Sequence, residues 1–313
     1  LLLSEVLGGA LHVSKTLVQG VGLGLRWEFA DQLLAELPAI DFLEISPENY
    51  MGRGGFATAL LARAVAAYPI VTHGLTMSMG GVDPIGQAYL DGLRAFLRDV
   101  RSPWHSDHLC FGLVDQRVLH DLLPLSFTKA TVRRTADRIK QAQDALGVPL
   151  AVENISYYMH PGHAEMDEAS FVSEVCEAAD CKLMLDVNNA YVNSVNHGFD
   201  VNEWMSRAPL HRVVQMHIAG HEYWDDELGG AGAQLIVDTH GADVCDPVIA
   251  LMERVLEVTG PVPVLLERDQ AVPPLHELLR EVALLKAAWL RGTAAHRGEP
   301  SKVGDGAKVV AHG

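Results

Sequence analysis

Carboxylates and imidazoles recur in this chain directly after short apolar runs. Phe42-Leu-Glu-Ile-Ser46 carries Glu44, with Glu48 and Asn49 just beyond, and Ile70-Val-Thr-His73 ends in His73. Trp104 to Phe111 holds Asp107 and His108, and Pro149-Leu-Ala-Val-Glu153 ends in Glu153, followed by Asn154. Lys182-Leu-Met-Leu-Asp186 ends in Asp186, followed by Asn188 and Asn189. Arg212 to Ile218 carries His217, and Val262-Pro-Val-Leu-Leu-Glu267 ends in Glu267. One such residue alone is ordinarily a solvated rim group or a hydrogen-bonded core group. Gathered in one concavity, carboxylates repel and raise one another's pKa; divalent cations are the natural compensation. After His217 come His221, Asp238 and His240. Asp238 and His240, two apart, can grip one ion if extended, and with Asp186 and Asn189 they form a further site of mixed N and O ligands. A structural zinc site would use Cys and be closed, and an oxygen cage for Mg²⁺ would not use so many imidazoles. Imidazole with bridging carboxylates suits Fe, Mn or Zn. The residue chemistry leaves two classes open, a di- or trinuclear hydrolase or isomerase and a non-haem iron oxidative enzyme.

The elements that must position these groups follow from the hydrophobic pattern. The apolar runs are of strand length and suit strands of a buried parallel sheet; with Val21 to Arg26, which ends in a cation, they number eight. Between them, helices are predicted over 27–37, 56–68, 84–100, 125–146, 168–179, 202–207, 246–258 and 274–291. Pro84 and Pro247 suit first helical positions, with Asp246 as N-cap, and Gly147 suits a helix C-terminus. Strands alternating with helices in this number imply an α/β fold, a (β/α)₈ TIM barrel with its site at the C-terminal rim of the strands. Gly22-Leu-Gly24 is a weak match to a dinucleotide loop, because its glycines fall inside the strand. Residues 1–20 read as a lead-in, 21–291 as the catalytic barrel, and 292–313, rich in Gly, Ala, Lys and His without periodicity, as a disordered tail.

Composition bounds the function. The chain has 313 residues, 49% of them hydrophobic, and a formal charge of −16. That charge argues against nucleic acid and anionic membranes as partners. No apolar run has transmembrane length and the opening Leu1-Leu-Leu3 is no signal peptide. The four cysteines, Cys110, Cys176, Cys181 and Cys245, form no C-x-x-C pair and read as buried thiols of a reducing compartment. The expectation is a cytoplasmic protein.

The ordered series Phe42 to Tyr50, Thr72-His-Gly74, Ser106-Asp-His-Leu109, Val152-Glu-Asn154, Leu185 to Asn189, His217-Ile-Ala-Gly-His221, Asp238-Thr-His-Gly241 and Leu266-Glu-Arg-Asp269 resembles one family. It is similar to the multinuclear non-haem iron-dependent oxidative enzymes, which include members of methanobactin and thia-amino-acid biosynthesis. The resemblance spans about Gly22 to Leu290. It implies two adjacent irons held by His73, His108, Glu153, Asp186, His217 and Glu267, with Glu153 as bridge. It also implies a third metal position at Asn189, Asp238 and His240. His108 is preferred to His105 because it occupies the Ser-Asp-His position. The implied activity is O₂-dependent oxidation of cysteine in a ribosomally made precursor peptide, with a separate protein binding the peptide leader. Glu44, Asn49 and His221 are expected to orient substrate. The competing reading is a sugar isomerase or phosphodiester nuclease on the same barrel, which would need a Lys or a phosphate-binding loop at the rim; Gly80-Gly81 and Gly229-Gly230 lack basic sequence neighbours. A non-enzymatic metal-binding protein is the third reading, and storage does not require ligands gathered on a barrel rim.

Overall fold

The computed structural model describes residues 17–115, 117–225 and 234–298. The chain opens with β1 (Val21–Gly24), α1 (Ala30–Glu36), β2 (Leu43–Ile45), α2 (Phe56–Ala67) and β3 (Ile70–His73). Next come α3 (Gln87–Val100), β4 (His105–His108), the hairpin of β5 (Phe111–Val114) and β6 (Arg117–Leu123), and α4 (Lys129–Leu146). Then follow β7 (Leu150–Glu153), α5 (Glu168–Ala179), β8 (Lys182–Asp186), α6 (Val187–His197) and α7 (Val201–Arg207). The last part holds β9 (Val213–Ile218), β10 (Glu222–Asp225), β11 (Gln234–Val237), α8 (Asp246–Thr259), β12 (Val264–Leu266) and α9 (Leu275–His296). Eight parallel strands close a barrel in the order β1-β12-β9-β8-β7-β4-β3-β2. The predicted TIM barrel is the observed fold. None of the described helices is long and apolar enough to cross a membrane.

Strand alternation sorts the residues. Leu43, Ile70, Val152, Leu183, Leu185, Met216, Ile218 and Leu266 face outward into the large core shared with the helices. Phe42, Val71 and Leu265 face inward and, with Val18 and the half-buried Trp104, plug the base of the barrel. The next inward positions up each strand are Glu44, His73, Ser106, Glu153, Asp186, His217 and Glu267. The parity that buries the plug therefore delivers these groups to the rim. Gly22 is required here, since a Cβ would lie 2.6 Å from the Phe42 carbonyl oxygen.

Several predicted boundaries move. The lead-in ends in an ordered Val18, which is buried, while residues 1–16 lie outside the described residues. α3 begins at Gln87 and not at Pro84, with Gly86 extended before it; the Arg138 guanidinium, which ties down the Met77 and Asp83 carbonyls, holds the preceding turn. Asp246 is the first helical residue of α8, and Cys245 takes the cap position. The last helix does not stop at Arg291. It continues to His296 because Gly292 lets α9 approach the backbone of α8: a Cβ there would lie 2.8 Å from the Glu253 carbonyl oxygen. Of the predicted tail 292–313, residues 299–313 lie outside the described residues. Two helices follow β8 where one is predicted, and α6 starts immediately at the strand end because Asp186 caps it through a 2.7 Å bond from the Asn189 amide. Two rim hairpins, β5–β6 and β10–β11, stand where the sequence reads as loop.

Candidate metal centre

Register brings the strand ends level. His108 pairs with Glu153 across β4 and β7, and Asp186 with His217 across β8 and β9. Three ligand atoms then meet at one point. His73 Nε2 is 3.1 Å from His108 Nε2, and Glu153 Oε2 is 3.2 Å from the first and 3.3 Å from the second. The other Glu153 oxygen, Oε1, is 3.6 Å from His217 Nδ1, which is also 3.0 Å from Glu267 Oε2. Glu153 thus faces two groups that could each hold a metal ion, His73–His108–Glu153 and Glu153–Asp186–His217–Glu267. A third group, His240–Glu267–Asp269, shares Glu267.

Surrounding side chains fix which atoms point inward. Ser106 Oγ lies 2.9 Å from His73 Nδ1, which turns Nε2 to the site. Glu44 Oε2 lies 3.0 Å from His217 Nε2 and accepts a 2.6 Å bond from Gln215. This leaves His217 Nδ1 as the inward lone pair, the tautomer control usual for metal-binding imidazoles. Asn154 clamps the end of β8, accepting from the Asp186 amide at 3.0 Å and donating to its carbonyl at 2.8 Å. Glu153 Oε2, Asp186 Oδ2, Asn189 Oδ1, His217 Nδ1 and His240 Nε2 are buried with no hydrogen-bond partner among the described residues. Buried polar atoms are nearly always satisfied. So many unsatisfied acceptors converging on one concavity fit cations as the missing partners.

Electrostatics point the same way. Burial opposes charge on His73, but Glu153 outweighs it and holds the imidazole at about 9. Burial likewise opposes charge on Glu153, and His73 and His108 outweigh it, keeping the carboxylate ionised. Asp186 goes the other way: burial, then Glu153 and Asp238, raise it far above the carboxylate range.

Of the groups expected at a third position, Asp238 Oδ1 is 2.9 Å from His240 Nε2, and Asn189, Asp238 and His240 line one cavity of about 770 Å³ with His73, His108 and Glu153. Asp269, 3.3 Å from His240 Nδ1, was not foreseen as a candidate; its signal was its place two residues after Glu267. Among the residues expected to orient substrate, Asn49 lines the cavity, and Glu44 does so while holding His217. His221 does not belong with them. It is buried outside the cavity lining, its Nδ1 2.8 Å from Asn188 Oδ1 and its ring stacked on Tyr191, where Gly220 lets the chain lie against the Ala242 backbone. His105 is a packed strand residue, fully buried with Nδ1 3.0 Å from Thr72 Oγ1. Gly80 is packed on Leu125 and leaves no phosphate cradle, and Gly229-Gly230 lie outside the described residues.

A family model for "RiPP precursor modification enzyme MbnB/TglH/ChrH" matches residues 20–289. A UPF0276 protein of Acinetobacter baylyi is 43% identical over 88% of this chain and 92% of its own length. One from Nitrosospira multiformis is 42% identical over 90% and 96% respectively. Among solved structures, a xylose isomerase-like TIM barrel protein from Mycobacterium smegmatis in complex with magnesium superposes with a TM-score of 0.57 at 12% identity, covering 91% of this chain and 100% of that one. D-psicose 3-epimerase from Clostridium cellulolyticum H10 gives 0.52 at 10% identity, covering 89% and 98%. At such identities the structural likeness speaks for the barrel alone.

Proposed function

This chain belongs to the MbnB/TglH/ChrH family of RiPP precursor modification enzymes, and we propose that it uses a multinuclear iron centre and O₂ to oxidise cysteine in a ribosomally made precursor peptide. The observation that carries this reading is Glu153, whose two oxygens face two separate ligand groups. His73 and His108 would hold one iron, Asp186, His217 and Glu267 the other, with Glu153 shared. A third ion would take His240, Asp238 and Asn189. Such a centre supplies thiol deprotonation and electron transfer to O₂.

The chain's own residues do the rest. Ser106 and Glu44 hold the His73 and His217 rings in their inward tautomers, and Asn154 with the Asp186 cap fixes the level of the β8 carboxylate. The cavity joins this polar floor to an apolar flank of Leu75, Leu122, Leu123 and Met159. A cysteine side chain on a peptide backbone suits a wall of that kind better than a polyhydroxylated sugar does. No lysine lines the cavity among the described residues, which also disfavours the isomerase or nuclease reading. The substrate would be a Cys-containing peptide, presented by a leader-binding partner protein.

Iron reconstitution of chelator-treated protein tests the assignment. Glu153→Ala is expected to lose both strongly held equivalents together, whereas His108→Ala loses chiefly one. Retention of both irons by Glu153→Ala would remove the basis for a shared carboxylate.

A further inference from the structure

His240 has two faces. Its Nε2 is 2.9 Å from Asp238 Oδ1 and has no satisfied hydrogen bond among the described residues. Its Nδ1 is 3.3 Å from Asp269 Oδ2 and 3.5 Å from Glu267 Oε2. A neutral imidazole carries one lone pair, so it serves a cation on one side only. Both sides offer carboxylate, and the floor of the site does not by itself choose between them.

Arg26 supplies the difference. Where other barrel strands end in carboxylates or imidazoles, β1 leads into Arg26, which lines the cavity. The Arg26 guanidinium pairs with Asp269 Oδ1 and lies 3.7 Å from Glu267 Oε1, while its Nε donates to the Arg268 carbonyl at 3.3 Å. Each of these carboxylates therefore turns one oxygen to Arg26 and the other to His240. On the opposite face, Asp238 accepts from two neutral side chains, Ser156 Oγ at 2.9 Å and Asn188 Nδ2 at 2.7 Å. Asn189 Oδ1 lines the same cavity, buried and unpartnered.

We infer that Arg26 is a positioning residue that closes the Asp269 side of His240 to cations and so assigns the third ion to the Asp238 side. The inference rests on the metal centre proposed above. A guanidinium is permanently charged, so it both repels a cation arriving at Nδ1 and uses the charge of the carboxylates that would bind it. The Nδ1–H then donates toward Asp269, and the Nε2 lone pair is left for an ion held by Asp238 and Asn189. A lone acidic cluster would not discriminate in this way.

Zn²⁺ titration of chelator-treated protein by calorimetry, with equivalents counted by plasma mass spectrometry, tests the assignment without reference to activity. With Arg26 present, Asp238→Asn is expected to weaken the last-bound equivalent and Asp269→Asn to leave it in place. In the Asp238→Asn background, Arg26→Gln should tighten that equivalent about three- to tenfold, the size expected for removing one partly exposed charge. Adding Asp269→Asn should abolish the gain, and Arg26→Lys, which keeps the charge but not the fork, should behave as the parent. The assignment is overturned if Arg26→Gln leaves binding in the Asp238→Asn protein unchanged, or if Asp269→Asn alone removes the last equivalent. Glu153→Ala separates the two levels: keeping the tighter equivalents there would sink the metal centre itself, whereas losing them leaves the last equivalent to speak for Arg26.

Discussion

Asp186 does two jobs with its two oxygens, and a pair of substitutions separates them. Oδ1 caps α6 through the Asn189 amide at 2.7 Å; Oδ2 is buried without a hydrogen-bond partner among the described residues, and the residue shares a candidate ligand group with Glu153, His217 and Glu267. Asn caps helices as well as Asp does, whereas Ala forfeits about 1 kcal/mol and leaves a buried amide unsatisfied, for a total near 1–3 kcal/mol. Without metal, burial, Glu153 and Asp238 all oppose ionisation of Asp186 and push its carboxyl well above the usual carboxylate range. Asp186→Asn should therefore unfold in urea within about 0.5 kcal/mol of the parent when metal is absent, and Asp186→Ala clearly earlier. With metal at about a hundred times its dissociation constant, the parent gains roughly 2.7 kcal/mol per site. Asp186→Asn should forgo one such increment. The reasoning is refuted if Asn destabilises the metal-free protein as much as Ala, or if the Asn variant keeps the full metal-dependent gain.

Two further outcomes concern the scaffold. Glu168 is buried, accepts from Trp204 Nε1 at 3.1 Å and Asn193 Nδ2 at 3.2 Å, and is pushed by burial up to about 8. Its unfolded counterpart titrates near the ordinary value of about 4.3, so the unfolded state loses its proton first. Between about pH 4.5 and 8 this group should remove stability as pH rises, by about 1.4 kcal/mol per unit at most, and then level off. Urea unfolding across that range should show this slope in the parent and lack it in Glu168→Gln; equal slopes would exclude Glu168 as its source. Gly292→Ala gives a test with opposite signs. If Gly292 lies in an intact α9 packed on α8, the added Cβ meets the Glu253 carbonyl and Leu256 at 2.8 Å, and overpacking outweighs the gain in helix propensity, for a net loss of about 1 kcal/mol. A frayed end would instead leave the variant unchanged or slightly stabilised.

The barrel and the candidate ligands at its strand ends are legible in the sequence because they depend on period-2 alternation. Once Phe42, Val71 and Leu265 fill the base, parity puts Glu44, His73 and Glu267 at the rim, and a strand-end reading finds them. Alternation says nothing about segments held by single side chains. α6 was missed since Val187-Asn-Asn-Ala-Tyr191 carries three poor helix formers in its first turn region and owes its start to the Asp186 cap. His221 is a related case: it is expected beside the substrate, but its imidazole packs on Asn188 and Tyr191, contacts that its spacing from His217 does not reveal. Asp269 went unassigned because its partner, Arg26, lies 243 residues away in sequence. The end of α9 was invisible to periodicity, since Gly292 reads as a breaker unless the facing backbone of α8 is known.

The shared Glu153 is proposed to mark an oxidative iron centre acting on peptidyl cysteine. The most direct measurement is O₂ consumption by anaerobically purified, iron-loaded protein given a Cys-containing precursor peptide and its leader-binding partner, with mass spectrometry of the peptide. The expected result is bound iron, O₂ uptake and a mass change confined to the cysteine, all lost when that residue is Ser. Protein that carries only zinc or magnesium, consumes no O₂ after iron loading and leaves the peptide unaltered would contradict it.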